Sequence, residues 1–393
     1  MTGIALVVAF VIAIAAMIVM ISKFKIHPFI SIMLVSLVFG LVAGIPLVNQ
    51  TLEDGTTVSG IASVIGAGFS GTFTSIGIVI ILGALVGSIL EATGGAFKLA
   101  DMVVSLVGKK HPEVAMELMG WIVSIPVFCD SGFVILNPIR KAIVQKTAAS
   151  SVMLTVCLSC GLYVSHVFIP PTPGPIAAAG SLGLENDLLL VMGLGVVCSI
   201  LPLIAGVVFA RFIGKRVKAE DEADASGNVA TYEEIKAQYG QLPGGFITLA
   251  PIVVPIVLMA LGSISSMAKW SGFGADLCTF FGTPMIALAM GVVFGVIQLA
   301  VTANLDKFHD LVQETLKTVG PILFITAAGG VLGKVIASTD MVNFIKEQAV
   351  TLEALGIFFP FLLAAILKTA QGSSTVAITT TAGILAPVMA TLG

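Results

Sequence analysis

Residues 1–22 contain no charged side chain. A helix over that stretch is about 33 Å long at 1.5 Å per residue, enough to cross the roughly 30 Å hydrocarbon core of a bilayer. Long uncharged stretches recur along the chain and constrain the fold more than any other feature. In hydrocarbon no water is available to backbone N–H and C=O groups, so a spanning segment must satisfy them internally, which favours helices. Apolar helical stretches read at 28–48, 75–92, 96–108, 113–128, 133–147, 150–169 and 188–213, then at 246–266, 283–303, 320–337, 341–350, 354–370 and 375–392. The expected fold is therefore an all-α polytopic membrane protein.

Composition excludes the other broad classes. Of 393 residues 57% are hydrophobic and 10% charged, against about 25% charged in a soluble domain. The net charge of −3 is opposite in sign to the basic footprint a nucleic-acid binder needs. The 42 Gly and 17 Pro suit helices that are interrupted inside a membrane, where neighbours re-satisfy the backbone. No basic segment precedes the first stretch and no small-residue cleavage site follows it, so it reads as a retained helix. The five cysteines lie in apolar surroundings. Cys157 and Cys160 are one turn apart in a helix and read as small packing residues.

Basic residues orient the spans, because cytoplasmic loops carry an excess of Lys and Arg. Lys23 and Lys25 place the first loop inside and the N-terminus outside; the loop 49–60, with Glu53 and Asp54, lies outside. Arg140, Lys141, Lys146, Lys307 and Lys317 read as cytoplasmic, while Lys109 and Lys110 fall outside against the rule. The polar segment 214–243, flanked by Arg211, Lys215, Arg216 and Lys218, reads as a cytoplasmic linker between an N-terminal repeat, 1–213, and a C-terminal repeat, 244–393. With an offset of 329 − 83 = 246, Gly83, Gly87 and Thr93 fall on Gly329, Gly333 and Thr339. The first copy enters its hairpin from the outer loop and the second from the cytoplasm, so the copies are expected to be inverted, an arrangement common in secondary transporters. The second copy reads as short of the helix that would match 150–169.

Polar interruptions of these apolar runs mark the candidate site. In Ile125-Pro126-Val127-Phe128-Cys129-Asp130-Ser131-Gly132 an acid sits at membrane depth, where insertion costs about 2.5–3.5 kcal/mol. The expected picture is a helix broken there, its second half beginning near Ser131, with Gly132 permitting non-helical backbone and the free N–H groups facing an anion. The second interruption is Lys368-Thr369-Ala370-Gln371-Gly372-Ser373-Ser374-Thr375, whose hydroxyls and amide suit a carboxylate or polyol. Lys368 either offsets substrate charge or snorkels to the interface. The third, Ser165-His166 through Pro170-Pro171-Thr172-Pro173-Gly174-Pro175, reads as a rigid loop; His166 titrates near neutral pH and can relay protons. Thr93 and Thr339 stand at the two hairpin breaks, Glu91–Gly95 and Ala337–Asp340. The sequence has no phosphate-binding loop of the G-x-x-x-x-G-K-[ST] kind and no H-E-x-x-H or G-x-S-x-G motif.

These segments resemble the gluconate/proton symporter (GntP) family of the ion-transporter superfamily. The residues that carry the resemblance are Ser75–Val79 with Glu91–Ala96, the break Pro126–Gly132, Ser165-His166 with Pro171–Pro175, and Ala370–Ala377. The resemblance implies re-entrant hairpins in inverted repeats, a homodimer, and uptake of gluconate or a related hydroxy-acid with protons across the bacterial cytoplasmic membrane. Lys368 stands where it leads one to expect Arg, and Cys129 where gluconate members carry an aromatic; the family also handles glycerate-like acids and D-serine.

The combined reading is a transporter rather than an enzyme, with no cofactor. Asp130, Ser131, Gly132, Gln371, Gly372, Ser373, Ser374, Thr375, Thr93, Thr339 and Lys368 are the candidate substrate residues. Asp130 is the first candidate proton carrier and His166 the second. The alternatives are a Na⁺-coupled carboxylate carrier of the same architecture and, in another class, a channel or an intramembrane enzyme.

Overall fold

The computed structural model describes residues 3–51, 55, 57–99, 102, 111–147, 149–219, 242–340, 358–371 and 374–392. The protein is helical, as the apolar stretches predict. Among the described residues seven helices are long and apolar enough to cross a membrane. A two-residue antiparallel ribbon in the loop 49–60, β1 (Gln50–Thr51) with β2 (Thr57–Val58), departs from the all-helical expectation. The linker segment 220–241 and residues 341–357, which include the stretch read at 341–350, lie outside the described residues.

Contacts divide the chain into two compact units, each drawing on both halves of the sequence. The first comprises Met1–Ile78, Gly174–Glu185 and Thr318–Gly393. It contains α1 (Ile4–Ser22), α2 (Pro28–Ala43) and α3 (Ile61–Thr72), which runs through a π turn at Phe73–Gly77 into α4 (Ile78–Ala92). In α1 the buried residues are Leu6, Phe10, Ile14, Met17 and Ile21, one stripe at helical spacing. The remaining surface is apolar as well: Ile4 is 73% exposed and Ile12 62%. A stripe packed on protein with equally apolar flanks is what a lipid-facing helix requires. Leu6, Ile32 and Phe39 share a core with Val331, Val335 and Leu367.

The second unit comprises Val79–Pro173 and Asn186–Lys317. After α4 it holds α5 (Pro112–Val123), α6 (Cys129–Thr147) and α7 (Ser151–Phe168). The short α8 (Pro173–Ser181) belongs mainly to the first unit. The second then continues with α9 (Leu188–Gly214), α10 (Gly245–Met267), α11 (Phe273–Gly282), α12 (Pro284–Val301) and the start of α13 (Phe308–Ala337). The last helices, α14 (Phe358–Gln371) and α15 (Ser374–Leu392), return to the first unit. Helices α5 and α7 meet backbone to backbone: a side chain at Gly120 would lie 2.7 Å from the Leu158 carbonyl oxygen, and one at Gly161 would strike the Glu117 carbonyl. Small residues at such crossings let helices approach where lipid gives no hydrophobic drive.

Several boundaries differ from the sequence reading, each for a physical reason. Helix α13 begins at Phe308 rather than near 320; the charged side chains of its first turns, such as Lys317 paired with Glu314 at 2.6 Å, are exposed, and polarity there does not end a helix. Helix α11 was not expected. Helix α8 starts inside the proline run, because Pro is compatible with a first helical turn, where its missing N–H would have no intrahelical partner. The irregular loop therefore narrows to Ile169–Thr172.

Candidate functional site

The first polar break is real but sits earlier than its sequence suggests. Helix α5 ends at Val123, Ser124 donates its hydroxyl to the Val127 carbonyl at 2.9 Å, and α6 begins at Cys129. The Gly132 N–H donates to the Phe128 carbonyl at 2.8 Å. Asp130, Ser131 and Gly132 are thus helical, which corrects the expected start near Ser131 and the non-helical role of Gly132. Acidic and hydroxyl residues are favoured at helix starts, where N–H groups lack intrahelical partners. Gly132 is buried for packing: a side chain there would come within 2.6 Å of Leu162 Cδ2.

The third interruption folds back beside the first. His166, in the last turn of α7, is buried, with its ring 5.9 Å from that of Phe128. Thr172 Oγ1 donates to the carbonyls of His166 at 2.9 Å and Ile169 at 2.7 Å, closing the loop. Helix α4 presents two glycines to these segments: a side chain at Gly83 would meet the Pro171 carbonyl oxygen at 2.7 Å, and one at Gly87 would strike the Pro126 carbonyl. An apolar crevice beside them is lined by Val86, Pro126, Pro171, Met192 and Pro255.

At the end of α4, Thr93 is buried in the turn Thr93–Gly94 that precedes residues 95–99. Its hydroxyl donates to the Ile89 carbonyl at 2.8 Å and accepts from Gln298 Nε2 of α12 at 2.7 Å. Gln298 is fully buried, and its Oε1 has no partner among the described residues. Gly95 leaves the room that this amide fills, since a side chain there would lie 2.6 Å from Nε2.

The second interruption belongs to the first unit. Lys368 is half-buried in the last turn of α14, which ends at Gln371. Gly372 and Ser373 lie outside the described residues, and α15 opens with the half-buried Ser374 and Thr375. Gly174 of α8 packs on this start, with its side-chain position 3.6 Å from Thr375 Cα. Two turns on, Thr380 and Thr381 are buried with hydroxyls lacking partners among the described residues. Thr339 closes the turn after α13 by donating to the Ile336 carbonyl at 2.8 Å. The candidates therefore fall into two sets: Thr93, Asp130, Ser131, Gly132 and His166 in one unit, and Thr339, Lys368, Gln371, Ser374 and Thr375 in the other.

Sequence reasoning missed Gln298, Thr380, Thr381 and Glu117, a buried acid in the middle of α5. The signal that exposed Asp130, an acid within an apolar run, is equally present at Glu117. No group of three or more His, Cys, Asp or Glu side chains that could hold a metal ion occurs among the described residues.

Comparison with known proteins decides the family. The family model described as GntP family permease matches residues 5–393. The chain belongs to the GntP permease family. An uncharacterized permease of Haemophilus influenzae is 33% identical to it over 98% of this chain and 78% of the relative. The gluconate permease of Pseudomonas aeruginosa is 28% identical over 96% of this chain and 81% of its own length. The inner membrane permease YgbN of Escherichia coli is 31% identical over 92% and 79% respectively. Among solved structures, Neisseria gonorrhoeae MtrF matches with a TM-score of 0.61 at 15% identity, covering 96% of this chain and 83% of that one. The Alcanivorax borkumensis YdaH transporter matches with a TM-score of 0.59 at 16% identity, covering 93% and 83%. At that identity the likeness is one of fold: a polytopic membrane-transporter architecture. Family and spans together make the chain a multi-pass protein of the bacterial inner membrane.

Proposed function

We propose that this permease takes up gluconate, or a closely related small hydroxy-acid, together with protons. The observation that carries the substrate class is the match to gluconate permeases along nearly the whole chain: 28% identity over 96% of it for the Pseudomonas aeruginosa protein, and over 94% for the high-affinity gluconate transporter of Escherichia coli. The proton side of the reading rests on chemistry. An acid opens α6 directly after a proline break, and a titratable imidazole lies beside that break. Proton binding at Asp130 removes its repulsion for an anion, which couples the two ligands without an energy source beyond the gradient. His166 is the second carrier in this reading.

Ser131 and Gly132 at the start of α6, and Gln371, Gly372, Ser373, Ser374 and Thr375 at the α14–α15 break, are the proposed substrate contacts, with Lys368 balancing the carboxylate. Thr93 and Thr339 fix the hairpin turns in this scheme. The two sequence halves are proposed as inverted repeats on either side of the 214–243 linker, and the permease as a homodimer.

The test is uptake of labelled gluconate into proteoliposomes. An inward proton gradient alone should drive accumulation. Accumulation with an inward Na⁺ gradient alone would transfer the coupling role to sodium, and equilibration without accumulation under both gradients would mark a facilitator or channel.

A further inference from the structure

Glu117 lies at the middle of α5, one helical turn beyond Glu113 and one turn before Trp121. It is 2% exposed, and both carboxylate oxygens lack a hydrogen-bond partner among the described residues. The indole Nε1 of Trp121 is likewise buried and unpartnered. The carboxyl occupies a space left by a glycine: a side chain at Gly206 of α9 would strike Glu117 Oε1 and come within 3.1 Å of Cys160 Cβ. An ionised carboxylate in that pocket would bear its desolvation penalty with nothing to offset it, whereas a neutral carboxyl would not.

Among the described residues, the groups that could compensate a charge there are engaged elsewhere, distant, exposed or themselves acidic. On α9, Arg211 pairs with Glu113 at 2.6 Å. On α7 the titratable groups are Cys157, Cys160, Tyr163 and His166; the two thiols lie along the face toward α5, Tyr163 is 41% exposed, and His166 is at the far end by Phe128. On α6 the charged side chains described are Arg140, which donates to Asn137 Oδ1 at 2.8 Å and to Ser151, and the exposed Lys141.

The same helix connects Glu117 to both ends. At its start His111, with a side chain 67% exposed, lies 3.5 Å from Glu113. Glu117 is about 6 Å further along the axis. Trp121 and Ser124 continue the polar line to the break before α6. A buried acid midway between the exposed His111, which contacts the buried Glu113, and the break is positioned to receive a proton from one side and yield it toward the other.

We propose that Glu117 is a proton-binding carboxyl of the transport cycle, reached through the His111–Glu113 pair at the exposed end of α5. This role rests on the proton-coupled reading above. A buried acid that served packing alone would stay protonated throughout and would not respond to a gradient.

The deciding experiment compares wild type, E117Q and D130N in proteoliposomes loaded for labelled gluconate uptake and for counterflow exchange. A one-unit pH gradient can concentrate substrate about tenfold per coupled proton. E117Q imitates the protonated acid, so it should exchange gluconate at the wild-type rate, lose the accumulation, and lose the pH dependence of exchange. E117Q that accumulates gluconate to the wild-type level under the gradient overturns the proposal, and loss in D130N alone then leaves Asp130 as the carrier. Absence of gradient-driven accumulation in wild type overturns the proton-coupled reading itself, a different failure. Should E117Q be inactive in exchange as well, infrared spectra decide. A protonated-carboxyl band in wild type that shifts in E117D and disappears as pH rises supports a titrating Glu117; no band with both properties overturns it.

Discussion

At the scale of single residues, polar side chains inside apolar helices carry the specific information, and their effects separate by partner. Thr93 holds the Gln298 amide through one hydroxyl. Thr93→Val keeps the shape and removes that acceptor from a buried donor, which costs about 1–3 kcal/mol. The melting temperature of the purified permease should fall, while Thr369→Val, whose exposed hydroxyl only returns to the Ala365 carbonyl, should leave it unchanged; equal melting of the two variants would deny the buried bond its role. Asp130→Asn should abolish pH-driven accumulation of gluconate and preserve exchange, read in the same vesicles. Persistent concentration against a gradient in D130N would remove Asp130 as a carrier. Asp130 stands out in the sequence because the cost of an acid at membrane depth is large and the break at Pro126 is close by. Glu117 is likewise an acid in an apolar run and Gln298 a lone amide in one, but neither stands beside a proline break, and the stretch around each reads as apolar on average. Nothing in a helix that is apolar on every face tells which side meets lipid and which meets protein, so the burial of these two groups could not be read from periodicity.

At the scale of elements, breaks were easier to see than starts. Proline and glycine mark where helices stop, but Asp and Ser read as breakers at Asp130-Ser131 while acting as first-turn residues, and Pro173 opens a helix for the same geometric reason. The glycines explain how broken segments are held. Gly83 and Gly87 on α4 face the carbonyls of Pro171 and Pro126; Gly329 and Gly333 on α13 face those of Thr379 and Gly383, the latter 2.7 Å from the added side-chain position. The positions related by the sequence offset thus do equivalent work in their own units, each letting a helix backbone approach a carbonyl, and this is the strongest structural support for the proposed repeat. Gly333→Ala should therefore overpack the α13–α15 contact and destabilise by about 1–3 kcal/mol. Gly66→Ala is the control: nothing lies within 4 Å of its added side chain on α3, and Ala exceeds Gly in helix propensity by about 1 kcal/mol. Thermal unfolding should move in opposite directions for the two variants; a shift of the same sign in both would reduce the glycine pairs to composition.

At the scale of the whole molecule, the inverted arrangement makes a claim about sidedness that a labelling experiment can settle. The first copy enters its hairpin through the loop 49–60 and the second through residues 302–307. If the copies are inverted, these two loops face opposite sides of the membrane; if they are parallel repeats, both face the same side. Basic residues assign the sides: Lys23 and Lys25 before α2 place the loop after it outside, and Lys307 places the second inside. The structure supplies accessible positions in each: Thr57 is exposed on the ribbon, and Lys307 is exposed in the turn before α13. In a background with the five native cysteines replaced, Thr57→Cys should react with a membrane-impermeant maleimide in intact cells, and Lys307→Cys only after the inner membrane is opened. Labelling of both from outside would overturn the inversion even if gluconate uptake were confirmed. Lys109 and Lys110 read as outside against the charge rule, and an odd number of further spans between the first hairpin and the linker would reverse the side on which Lys307→Cys labels. Two segments whose glycines match by offset and whose loops label from opposite faces would share an ancestral half folded in both orientations, the symmetry by which a carrier can open alternately to either side.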